Sequence, residues 1–247
     1  MTILQGFRVP FDSVMYRGSF LASGDLVFSG YSGATAPVSH RIAYTSAHRY
    51  RTNLRTARST MSSGKDIPTM TRLFLLAHAS TLATEQARFP RDEPISERGR
   101  REFDRASAPV VDRWVCAPER RTVGTVHAFG FAAEVEPALR ELDYGTWAGT
   151  AMDDVPESEL AAWLTDPATA PHGGESVEDL LGRVHDWLAA QDDGYERVAA
   201  VTHPSVVRAA TVCALDAPAT AFWRVDVRPL DVVRLHGRPG RWTLRLH

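Results

Sequence analysis

Only two cysteines occur in the 247 residues, Cys116 and Cys213, far apart and without a CxxC neighbour. That usage excludes a zinc ribbon and a disulfide-stapled scaffold, and makes a reducing, cytoplasmic setting the default. No uninterrupted apolar run reaches eighteen residues, so no membrane-spanning helix is expected. The net charge of -2 gives no global electrostatic reason for a nucleic-acid or membrane partner. Serine-hydrolase chemistry lacks its Gly-x-Ser-x-Gly, and Gly64-Lys65 runs into Asp66 without the upstream glycine of a phosphate-binding loop. His127, His172, His185 and His236 show no metal-ligand spacing. What remains is an ordinary globular composition, 44% hydrophobic and 23% charged, enough for one large α/β domain or a medium domain with an appendage.

The average conceals a split. Residues 1–69 carry eight basic groups against three acidic ones, so the remainder of a chain with net charge -2 carries a deficit of seven. After Phe20 to Tyr31 this segment shows no sustained apolar period, and little core can be built from it. Residues 1–69 therefore read as a poorly ordered basic extension: a flexible tail, a targeting peptide, or sequence added by a start codon chosen too early. Met70 opens a strand-like run, and 70–247 reads as the compact domain.

From Met70 onward, short apolar runs alternate with amphipathic stretches, the pattern of a mostly parallel sheet covered by helices. Leu73–Ala77 and Val198–Thr202 read as buried strands, and Val111–Ala117 as extended. Ser96–Ala106, Arg121–Ala133, Ser205–Cys213 and a helix capped by Ser176 with Asp179 read as helical. Asp231–His236 and Trp242–Leu246 are set to pair across the Gly237–Gly240 turn.

Histidines end both buried strands, His78 after Ala77 and His203 after Thr202. In open α/β sheets ligands collect at the carboxyl ends of strands, beside the N-termini of the helices that follow. The pair is the sharpest chemical signal in the chain.

Several ordered motifs now carry a resemblance. Ala77-His78-Ala79-Ser80-Thr81-Leu82-Ala83-Thr84 stands where a strand leads into Arg-His-Gly with a downstream Thr and Asn; Pro94-Ile95-Ser96-Glu97-Arg98-Gly99 matches Pro-Leu-Thr-x-x-Gly. Ala117-Pro118-Glu119-Arg120-Arg121 through Thr125 keeps the Pro, Arg and Thr spacing of Ser-Pro-x-x-Arg-x-x-x-Thr, with Arg121 in the arginine slot. Leu139 to Gly149 is similar to Leu-x-Glu-x-x-x-Gly-x-Trp-Glu-Gly, Gly173-Gly174-Glu175-Ser176 precedes Arg183, and Val201-Thr202-His203-Pro204 stands where Val-Ser-His-Gly is usual, with Arg208 downstream. Together these resemble the histidine phosphatase superfamily, the phosphoglycerate-mutase-like enzymes.

The resemblance implies a three-layer α/β/α sandwich and a phosphomonoester hydrolase that uses no metal and no cofactor, acting on a phosphorylated small molecule. A neutral imidazole attacks phosphorus, and the phosphohistidine is then hydrolysed, so one difficult displacement becomes two easier ones. His78 is the implied nucleophile, Glu141 the general acid/base, and His203 and Arg121 the groups around the equatorial oxygens. Thr81 and Thr84 are candidates for phosphate contact or for helix capping. Trp147 and Tyr144 read as packing aromatics.

Three departures matter. Ala77 replaces an arginine that clamps phosphate, a charge-assisted contribution of about 1.5–3 kcal/mol. Arg88 and Arg91 are the candidates to refill that place. Ala79 and Pro204 replace glycines, restricting the backbone and, for proline, deleting a donor. The alternative is thus a catalytically weak relative that binds phosphorylated ligands or regulates a partner. The stretch Met152–Pro171, with Asp153, Asp154, Glu157 and Glu159, is expected to form a lid or a solvated acidic surface.

Overall fold

The structure is a computed structural model, and it describes residues 70–191 and 197–246 in full, with the backbone of three strands at 4–11, 14–20 and 26–29. These three, β1 (Leu4–Phe11), β2 (Val14–Phe20) and β3 (Leu26–Ser29), form a sheet of their own in which β2 and β3 run antiparallel. The other residues of 1–69 lie outside those described. By its internal contacts the chain divides into two units, the second containing Thr69–His247.

The second unit is built on a six-stranded sheet. Its elements, in chain order, are β4 (Thr71–Ala77), α1 (Leu82–Glu85), α2 (Glu97–Glu102), β5 (Arg113–Cys116), α3 (Arg120–Ala128), β6 (Glu134–Val135), α4 (Glu157–Thr165), α5 (Val177–Ala189), β7 (Arg197–Thr202), α6 (Pro204–Ala214), β8 (Val232–Arg238) and β9 (Arg241–Arg245). Strand order is β6-β5-β7-β4-β8-β9; the first four are mutually parallel, and β8 and β9 are added antiparallel. Helices flank the sheet, as expected for the phosphoglycerate-mutase-like α/β fold.

The central strands explain themselves. Leu73, Leu75, Leu76 and Ala77 of β4, and Val198 through Val201 of β7, are buried, as near-continuous apolar runs must be in a sheet covered on both faces. The pair is in register from Arg72↔Arg197 to Ala77↔Thr202. His78 and His203 therefore leave the sheet side by side at the same end, and the His78 N–H donates to the Thr202 carbonyl at 2.9 Å.

Local chemistry sets the ends of the elements. Ser176 and Asp179 form the expected reciprocal cap at the start of α5. Helix α3 stops at Ala128, short of the Ala133 read from sequence, where Gly130 turns the chain at φ +83° into β6. Ser96 caps α2, and its N–H reaches back to the Ser80 carbonyl at 2.8 Å. Gly99 is needed there because an added Cβ would lie 2.2 Å from Ser80 O. The Pro-x-Ser-x-x-Gly stretch thus braces the loop that follows His78. No helix among the described residues is long and apolar enough to cross a membrane.

Candidate active site

Four loops at the carboxyl end of the sheet bring His78, Arg121, Glu141 and His203 together. The His78 and His203 rings meet edge to face, centroids 5.3 Å apart. Arg121 comes from the first turn of α3, beside β7, and is buried while its neighbour Arg120 is exposed. A cation at a helix N-terminus opposes the helix dipole and, buried, needs compensation. It receives this from the site: Nη2 lies 3.3 Å from Glu141 Oε2, Nη1 lies 3.9 Å from Glu93 Oε1 and donates to the Arg91 carbonyl, and Nε lies 3.2 Å from His203 Nδ1.

Glu141 is placed by its loop. The Thr202 hydroxyl donates to Leu139 O at 2.7 Å, and Arg183 of α5 grips Glu175 at 2.7 Å while donating to the carbonyls of Ala138 and Arg140 at 2.7 and 3.0 Å. The two glycine motifs meet here: a Cβ on Gly174 would fall 2.0 Å from Asp143 O, and one on Gly145 would fall 2.1 Å from His172 O. Below them Trp147, Tyr144, Phe89, Trp163 and His172 pack in a buried cluster of tilted and edge-to-face rings, which accounts for the Gly-x-Trp part of the motif. The Glu141 carboxylate accepts from Leu142 N–H at 3.0 Å and from the Ser205 hydroxyl.

Protonation follows from these partners. His78 Nδ1 lies 2.8 Å from the Ala79 carbonyl, which only accepts, so the proton sits on Nδ1 and Nε2 keeps its lone pair. Burial, then the charges of Arg121 and His203, push the His78 pKa down to about 3, against the Ala79 bond and Glu141. Burial alone would raise Glu141, but His203, Arg121 and Ser205 hold its carboxyl well below the usual range. Burial opposes the His203 cation too, yet Glu141 and Glu119 outweigh it and Arg121, so its pKa is raised.

One nitrogen each of His78 and His203 and one oxygen of Glu141 lie within 4.8 Å of one another, a spacing that would suit a metal ion as well as an anion. Arg121 brings a guanidinium within 3.2 Å of His203 Nδ1 and 3.3 Å of Glu141 Oε2, a positive charge that disfavours a further cation beside it.

The remaining expected residues lie differently. Thr81 and Thr84 turn their hydroxyls on each other at 3.1 Å and cap α1 reciprocally. Arg88 Nη1 donates to Gly149 O at 2.9 Å and Arg91 Nε to Ala148 O at 3.0 Å. Arg91's guanidinium lies over Gly149, where a Cβ would meet Nε at 2.3 Å. Both arginines are thus held by the carbonyls of the same turn. Ala79 is buried without a positive φ, its N–H donating to the Thr125 hydroxyl at 3.1 Å, and Pro204 is the first residue of α6, where no helical donor is lost. Of the acidic residues of 152–171, Asp153, Asp154, Glu157 and Asp166 are exposed and Glu159 is half-buried, and the segment is anchored by buried Trp163.

Glu119 is the residue missed. It is the N-cap of α3; its Oε2 lies 2.9 Å from His203 Nε2 and its Oε1 accepts the Glu141 N–H at 3.0 Å. The motif position is a variable one, so only the fold reveals it.

A mostly parallel sheet whose central strands end in facing histidines is the frame of the phosphoglycerate-mutase-like proteins. The model of the histidine phosphatase superfamily (branch 1) matches residues 73–247, and the chain belongs to that superfamily. It is similar to the bifunctional protein Rv2228c of Mycobacterium tuberculosis, 30% identical over 196 residues, 72% of this chain and 54% of that one. The chain thus spans about half the length of that relative. It is also similar to the glucosyl-3-phosphoglycerate phosphatase of Mycolicibacterium vanbaalenii, 30% identical over 210 residues, 70% of this chain and 92% of that one. Among solved structures, a mycobacterial glucosyl-3-phosphoglycerate phosphatase aligns with TM-score 0.58 and 26% identity, over 72% and 98% of the two chains. A putative alpha-ribazole-5′-P phosphatase from Escherichia coli aligns with TM-score 0.63 and 22% identity, over 71% and 95%, a likeness of fold.

Proposed function

We propose that this protein is a metal-independent phosphomonoester hydrolase acting through a phosphohistidine on His78. The observation that carries the reading is the His78 Nδ1 bond to Ala79 O, which leaves a neutral Nε2 lone pair in a site shared with Arg121, Glu141 and His203. Relatives named as phosphatases support it.

In the first step the Nε2 lone pair forms a bond to phosphorus and the bond to the leaving oxygen breaks. Resting Glu141 is a carboxylate, so the proton for the leaving oxygen comes from the Glu141–His203 pair, whose Oε2 and Nδ1 lie 3.2 Å apart. In the second step Glu141 takes a proton from the attacking water, the P–N bond breaks, its electrons return to His78, and inorganic phosphate leaves. Arg121 faces the charge that spreads over the equatorial oxygens. The substrate class is a phosphorylated small molecule met in a reducing, cytoplasmic setting, with no nucleic-acid or membrane partner.

A second reading, a binder of phosphorylated ligands with little turnover, is favoured by one observation: Ala77 leaves Arg121 as the site's guanidinium, and its donors are engaged within the protein. Hydrolysis of an aryl phosphate by the wild type and by His78→Ala separates the two. Turnover lost in the variant supports the first; thermal stabilisation by inorganic phosphate without turnover supports the second.

A further inference from the structure

With Ala77 where the resemblance implies an arginine, and with the Glu119 carboxylate beside His203, the site is poor in positive charge. The buried Arg121 guanidinium faces the part-buried carboxylates of Glu93, Glu119 and Glu141, each bonded or close to Arg121 or His203. With both imidazoles neutral the three part-buried carboxylates outweigh the one guanidinium, which is unfavourable in a site largely shielded from water. One proton halves the excess, and the geometry shows where it goes.

We propose that Glu119 is a positioning residue that, jointly with Glu141, holds His203 as an imidazolium, and that this cation stands in for the arginine missing at position 77. Carboxylates face both ring nitrogens of His203: Glu119 Oε2 at 2.9 Å from Nε2 and Glu141 Oε2 at 3.2 Å from Nδ1. The other titratable or charged groups facing the ring are Arg121, whose Nε lies 3.2 Å from Nδ1 and favours the neutral form, and His78, which is neutral. Two carboxylates against one guanidinium favour the proton, in keeping with the raised pKa of His203. Glu119 is fixed for the task, since its second oxygen takes the Glu141 N–H at 3.0 Å. The imidazolium then does two things by its charge: it keeps the His78 ring, 5.3 Å away, in the nucleophilic form, and it sets positive potential where the phosphoryl group enters.

The consequence for rate rests on the phosphohistidine reading; the protonation does not, and the test separates them. The full chain with 15N-labelled histidine is titrated by NMR as wild type, Glu119→Gln and Glu119→Asp, with the aryl-phosphate pH profile measured in parallel. His203 in the wild type is expected to show the imidazolium signature at pH 7. Glu119→Gln is expected to move its titration down by at least one pH unit, with the alkaline limb of kcat/KM following, and Glu119→Asp to restore part of both. A neutral His203 at pH 7 in the wild type, or a titration indifferent to Glu119→Gln, overturns the proposal. A shifted titration in a wild type without turnover supports the positioning role and sinks the phosphatase reading instead. Should Glu119→Gln not fold, Glu119→Asp is read alone: its shorter carboxylate must still lower the His203 titration, and an unmoved one overturns the proposal.

Discussion

His78 and His203 stand edge to face, centroids 5.3 Å apart with ring planes at 66°, because the strands they end are parallel neighbours in register. Their environments push them apart electrically. His78 has the Ala79 carbonyl on one nitrogen and is neutral, while His203 lies between two carboxylates that favour its protonated form.

That division predicts how stability responds to acid. His78 falls from an ordinary 6.5 to about 3, first by burial and then by Arg121 and His203. The unfolded chain therefore takes up this proton before the folded one does, and the stability present above pH 6.5 is lost as pH falls towards 3. At about 1.4 kcal/mol per unit this is on the order of 5 kcal/mol. Glu141, also lowered, adds to the loss below about pH 4.5. His203, raised, has the opposite sign: its contribution is full below pH 6.5 and lost as pH rises through its folded value. Thermal melts should show Tm falling from pH 6.5 to 4 and a flatter dependence in His78→Ala. An acid limb equally steep in that variant would contradict the assignment.

Arg88→Ala should leave the aryl-phosphate rate within about twofold of wild type and lower stability by about 1 kcal/mol or less, because the guanidinium serves an exposed Gly149 carbonyl. A tenfold loss in kcat/KM would return Arg88 to the site.

Ala77→Arg should raise kcat/KM by roughly ten- to a hundredfold, the equivalent of one charge-assisted hydrogen bond of about 1.5–3 kcal/mol gained in the transition state. An unchanged rate in a variant that melts normally would show that the vacated place no longer faces the phosphoryl group.

Neighbouring glycines should differ sharply. Gly173→Ala meets open space and costs only the strain of φ +72°, about 1–2 kcal/mol. Gly174→Ala drives a Cβ into Asp143 O at 2.0 Å and should cost about 3 kcal/mol or more while displacing Glu141. Denaturant melts compare them; equal losses would mean that the 143–145 and 172–174 crossing does not hold the loop.

Much of this architecture was legible because buried parallel strands write themselves as apolar runs, and both central ones end in histidine. The helix-start motif and the glycine pairs were readable as positions, though their reason, close backbone crossings at Ser80, Asp143 and His172, needed coordinates. For Arg88 and Arg91 closeness in sequence to His78 says nothing of direction: the turn at Ala148 and Gly149 offers two carbonyls, and each takes one guanidinium. Glu119 escaped for the converse reason. Nothing in its neighbourhood marks it, and its partners, His203 and Glu141, arrive from distant loops. Helix α3 was read too long although Gly130, the residue that ends it, was in plain view.

The most direct test of the account is to quench the wild-type chain during turnover of a phosphate monoester and map any phosphoryl group by mass spectrometry under alkaline conditions. The prediction is an acid-labile phosphoryl on His78 that is absent from His78→Ala, whose turnover falls by roughly a thousandfold or more. Turnover that survives in His78→Ala, or a phosphoryl group trapped on another residue, would contradict it.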